Sequence, residues 1–171
     1  MGVVGSVNKR TYEPVADFFI ALSNATGNLI SNLKLQKLLY YADAWHLANY
    51  GKPLIEEDFQ AWVHGPVIPA LYGDYKHFSW QPIERPDLDE STYVQIRSHL
   101  DTRILGLLDT VVDSYFGLSA YELEKMTHSE LPWRTARMGL ADDEPSSAVI
   151  SKDSMRDYYS SFIKEDGSKG I

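Results

Sequence analysis

Apolar positions recur along this chain at helical spacing, broken once by a stretch that alternates. From Thr11, the residues Val15, Phe18, Phe19 and Leu22 fall at i, i+3, i+4 and i+7. That spacing predicts a helix with one inward stripe, ended by the breakers from Asn24 to Gly27. A second helix is predicted to start after Ser31 or Asn32. It carries Leu35, Leu38, Leu39, Ala42 and Trp45 on one face and Tyr41, Ala44 and Ala48 on another. A helix apolar on two sides belongs at the centre of a fold. Gly51 can supply the left-handed residue that ends it, and Pro53 keeps it from resuming.

Phe59, Ala61 and Val63 alternate with Gln60, Trp62 and His64, the period of two that predicts a short strand. Gly65 and Pro66 are then expected to turn the chain. A helix opening near Pro69 aligns Ile68, Leu71, Tyr72 and Tyr75. Pro82, Pro86, Asp87, Asp89 and Glu90 mark a loop between Phe78 and Ser91. Ile104, Leu107, Leu108, Val111, Val112 and Tyr115 form the cleanest amphipathic pattern, closed by Gly117. Ser119 and Glu122 have capping-box spacing, with Leu118 and Leu123 at the staple positions. A turn or two of helix is predicted near Pro132 to Met138, a short strand at Ala148 to Ile150, and a last helix carrying Met155, Tyr158, Tyr159 and Phe162. The expectation is a mainly α fold, a single compact domain of about six to seven helices with one or two short β-strands. It spans residues 11–164, between flexible ends at 1–10 and 165–171.

Composition changes this picture in three ways. A chain of 171 residues is long enough for one sizeable core. The absence of cysteine removes disulfides, thiolate zinc sites and cysteine nucleophiles, and it suits a reducing compartment; no stretch is long and apolar enough to span a membrane. A cytoplasmic protein is expected. The formal charge of −8 repels phosphate backbones, so nucleic acid is not expected as a ligand, while it suits attraction to a basic protein partner. With 11 Tyr and 4 Trp, the chain is also rich in the side chains that interfaces favour.

Candidate chemistry is sparse. His46, His64, His77, His99 and His128 have no ligand spacing among them, so no metal and no cofactor are expected. His46 is read as a core imidazole and His128 as a capping residue. Asp43 lies one turn before His46 and is expected to pair with it. Phosphate-binding glycine motifs and the G-x-S-x-G elbow are absent, so no catalytic residue is assigned. A small metal-dependent hydrolase is the alternative of another class, and a DNA-binding autorepressor a third.

Three segments together carry a family resemblance. They are the helix Leu33-Lys34-Leu35-Gln36-Lys37-Leu38-Leu39-Tyr40-Tyr41-Ala42, with Trp45-His46-Leu47 and Gly51-Lys52-Pro53-Leu54 behind it; Ala61-Trp62-Val63-His64-Gly65-Pro66-Val67-Ile68-Pro69, followed by Leu71-Tyr72; and Ser119, Leu123, Thr127-His128 and Pro132-Trp133. The chain resembles the Panacea-domain, SocA-like antitoxins, a family also described as phage-associated, from about Leu33 to Arg137. The resemblance implies a mostly helical domain that neutralises a cognate protein toxin encoded beside it by direct contact. Some members instead act as proteolytic adaptors that hand the toxin to a Clp-type AAA+ protease. It implies no catalysis. The partner surface is expected around Trp62, His64 and Trp80, with the acidic stretch Asp142 to Glu144 as the next candidate.

Overall fold

Ser31 opens the helix around which the rest is built: its hydroxyl accepts the Lys34 N–H at 3.3 Å and caps α2 (Asn32–Tyr50). Gly51 closes the helix at φ 69°, donating its N–H to the Leu47 carbonyl. Most of α2 is buried, on both of the faces the apolar pattern marks. The first helix, α1 (Tyr12–Thr26), packs against it, as do α5 (Thr102–Val111), α6 (Ala120–Ser129) and α8 (Lys152–Ser160). These coordinates are a computed structural model that describes residues 10–163; the expected flexible ends fall outside them, apart from Arg10. Arg10 reaches the Asp74 carboxylate at 3.2 Å.

The fold is mainly α, with eight α-helices among the described residues and one two-stranded sheet. The helix beyond expectation is α4 (Glu90–His99), capped by Asp89. No residue of α4 is fully buried, which is why its apolar pattern is faint; Tyr93 and Ile96 rest on the core beside α1. After α5 the chain widens into one π-turn, Val112–Phe116, which Gly117 ends at φ −76°. The Ser119–Glu122 capping box forms as expected. Two short helices, α3 (Pro69–Tyr75) and α7 (Leu131–Ala136), both start on a proline in the first turn.

The strand reading needs one correction. β1 (Gln60–Trp62) and β2 (Gly65–Val67) pair antiparallel with Trp62 opposite Gly65, so Val63 and His64 make the turn, not Gly65 and Pro66. The predicted Ala148–Ile150 strand is a single bridge: Val149 lies opposite Gln60, and the Ala61 and Ile150 N–H groups bond across at 2.8 Å. Asp43 does not pair with His46. It is fully buried and accepts the Leu54 and Ile55 N–H groups and the Lys152 ammonium, a partner supplied by α8 far along the chain. His46 is only half-buried, with Nδ1 2.6 Å from the Lys52 carbonyl at the helix rim.

Candidate functional site

The polar residues of α2 hold the hairpin. Gln36 accepts the Ile68 N–H at 3.0 Å and donates to Asn32, whose amide donates to the Tyr72 carbonyl. Lys37, fully buried, donates to the Pro66 carbonyl at 3.1 Å. Burial disfavours its charged form and pushes the Lys37 ammonium down to about 7. From the other side, the Trp133 indole donates to the Trp62 carbonyl, and Arg137 donates to the Ala61 carbonyl, each at 2.9 Å. The same guanidinium also grips the Ala141 and Glu144 carbonyls, tying the 141–144 turn to β1. His128 stacks on Trp133 with ring centroids 3.9 Å apart, so it packs rather than caps. Desolvation lowers its pKa, and its Nε2 finds no hydrogen-bond partner among the described residues, with Glu124 3.9 Å away.

So anchored, the hairpin forms the floor of an open groove of about 540 Å³. Trp62 and Tyr72, their rings 5.1 Å apart and steeply inclined, line it together with Leu33, Val67 and a wall made by Pro145 to Ser147. The Trp62 indole donates to the Gln60 side chain at 2.8 Å, so its polar edge is satisfied while part of its apolar surface stays open. His64 stands at the rim, largely exposed, with Nδ1 2.9 Å from Glu124. Trp62 and His64 thus share one groove, as their adjacency suggests. Trp80 does not line it. It is 80% exposed in the turn that follows the 3-10 segment Lys76–Phe78. Tyr72 and the Pro145–Ser147 wall gave no local signal, because the fold alone brings them to Trp62.

Nothing in this groove resembles a catalytic constellation. Its only titratable side chains are His64 and Tyr72, and among the described residues no group of three or more His, Asp or Glu side chains is gathered to hold a metal ion. The strongest carboxylate perturbation lies elsewhere. Glu130 is pushed up to about 7 by burial, and it accepts a hydrogen bond from the Tyr41 hydroxyl within the aromatic cluster of Tyr40, Tyr41, Tyr115 and Tyr159. That cluster is closed core, with the Trp45 indole donating to Tyr115 at 2.8 Å.

A family model for the SocA-like antitoxins, the Panacea domain, matches residues 35–134, more than half of the chain. The chain belongs to that family. It is similar to antitoxin SocA of Caulobacter vibrioides, with 31% identity over 125 residues, covering 70% of this chain and 66% of that protein. No solved structure matches it. Membership supports an antitoxin role and a toxin as partner, and no described helix is long and apolar enough to cross a membrane. The matched span contains α2 from Leu35, the hairpin, α6 and the start of α7, so Gln36, Lys37 and Trp133 of the hairpin's clamp fall within it, whereas Asn32 and Arg137 do not. The Pro145–Ser147 wall lies beyond it.

Proposed function

We infer that this chain is an antitoxin that neutralises a cognate protein toxin by direct contact, docking it in the groove at Trp62 and His64. The observation that carries the reading is the groove itself: an apolar concavity with a partly open tryptophan and tyrosine, on a SocA-like chain. Interface cores are built from such anchors, and a few of them supply most of the binding energy. Trp80, exposed and outside the groove, is a second anchor for the same partner. The toxin is the product of an adjacent gene and the setting is the cytoplasm. No catalytic step, metal or cofactor enters this mechanism; binding alone blocks the toxin.

A second reading, a proteolytic adaptor that passes the toxin to a Clp-type protease, has one observation in its favour. Leu131, Met138 and Leu140 form a separate exposed apolar patch, where Met138 is 81% exposed. A hand-off protein needs two faces at once, and exposed apolar patches mark such sites. Growth assays separate the readings. The neighbouring gene expressed alone should arrest growth, and co-expression of this chain should restore it. Rescue that persists in cells lacking Clp proteases supports blocking, whereas rescue lost in those cells supports delivery. No rescue in either background removes the antitoxin reading.

A further inference from the structure

Resting on the reading that the groove docks a toxin, we propose that its occupant is an apolar segment of the toxin flanked by lysines or arginines. Leu33, Trp62, Val67, Tyr72 and Pro145 give the groove its apolar lining. Burying such surface favours an apolar guest by roughly 25 cal/mol per Å². Charge then selects among apolar guests. Asp142, Asp143 and Glu144 lead directly into the Pro145–Ser147 wall, all three exposed, and none forms an ion pair among the described residues. Glu124 adds a further carboxylate beside His64.

Three nearby cations are already engaged, while Arg134, which forms no ion pair among the described residues, lines the neighbouring pocket together with Asp142. Lys37 is sealed under the hairpin, Lys34 donates to the Phe116 carbonyl, and Arg137 is spent on backbone carbonyls. Among the described residues, no lysine or arginine lines the groove. An acidic guest would meet these carboxylates with no cation among the described lining residues of the groove, whereas a basic-flanked guest places its cations against Asp142 and Asp143. Over the whole chain the charge of −8 acts in the same direction. Partner choice falls mainly on the Pro145–Ser147 wall, because that wall and its acidic approach lie beyond residues 35–134, the span the family model covers.

The test uses the full chain and, as probe, the purified product of the adjacent growth-arresting gene. Two variants change exposed positions only: Ser147→Trp fills the groove, and Asp142→Lys with Asp143→Lys reverses the rim. Both should keep the wild-type thermal midpoint. Ser147→Trp should weaken association about 100-fold, the loss of a central anchor contact. The double variant should weaken it about tenfold and abolish the weakening that wild type shows between about 0.05 and 0.5 M salt. Hydrogen exchange on the complex should protect a toxin segment with an apolar centre and Lys or Arg flanks. A protected segment that is acidic, or folded variants that bind and neutralise as wild type does, would overturn this proposal and leave the antitoxin reading standing. Failure of the wild-type chain itself to restore growth strikes that reading instead.

Discussion

A methyl group placed on Gly65 would come within 2.5 Å of the Lys37 Cε, so hairpin and central helix touch at the one residue type that fits. Gly65 also has φ 101°, a conformation side chains rarely adopt. Thr127 from α6 closes the third side at 3.0 Å. The groove floor is therefore set by a contact between three segments distant in sequence.

Gly65→Ala should destabilise the chain by about 1–3 kcal/mol from backbone strain alone, with the displaced lysine adding to it. Urea denaturation measures this. An unchanged midpoint would mean that the hairpin sits further from α2 than described.

Lys37→Met tests the buried ammonium by pH. The folded pKa of about 7 lies below the ordinary 10.5, so between those values the unfolded chain binds more protons and stability rises with pH. Below pH 7 the penalty is fully present. Methionine removes it, less about 1 kcal/mol for the lost bond to Pro66, for a net gain of about 2–4 kcal/mol at pH 7 and below. The variant's stability should rise less steeply from pH 7 to 10, keeping only the slope that Lys34, also lowered by burial, contributes. Glu130 does not confuse the result: its raised pKa makes stability fall between about 4.5 and 7, below that window. A wild-type slope that survives in Lys37→Met would assign the effect to another group.

Leu38→Ala and Leu108→Ala should each cost about 2–5 kcal/mol, because both side chains are buried to within 1% on helical stripes of the core. Denaturation midpoints that do not move would place those stripes outside the core.

Trp80→Ala should leave stability within about 0.5 kcal/mol of wild type, since the ring is 80% exposed. Toxin neutralisation should nevertheless weaken. Full neutralisation by this folded variant would restrict the partner surface to the groove.

Helices with a strong apolar stripe were legible in the sequence, and so were their caps: Ser31, Gly51 and Ser119 act as their residue types suggest. The α4 helix was not, because Tyr93 and Ile96 are only partly covered and leave a weak stripe. Asp43 was misread because local spacing offered His46, while its true partner, Lys152, arrives from α8. Trp62 and His64 were legible as alternating positions of one strand, not as parts of a hairpin. That they share a groove with Pro145–Ser147 was not legible, since Arg137 fixes that turn through long-range bonds to backbone carbonyls, which no side-chain pattern encodes.

Direct contact with the toxin is the central claim, and isothermal titration of the purified chain into the purified product of the adjacent gene, with toxin activity followed in the same mixture, tests it without cellular machinery. The expected result is a saturable complex in which toxin activity falls in step with occupancy and no protease is present. A toxin that binds but stays fully active until a Clp protease and ATP are added would contradict neutralisation by contact. Absence of any complex would contradict the docking surface as well.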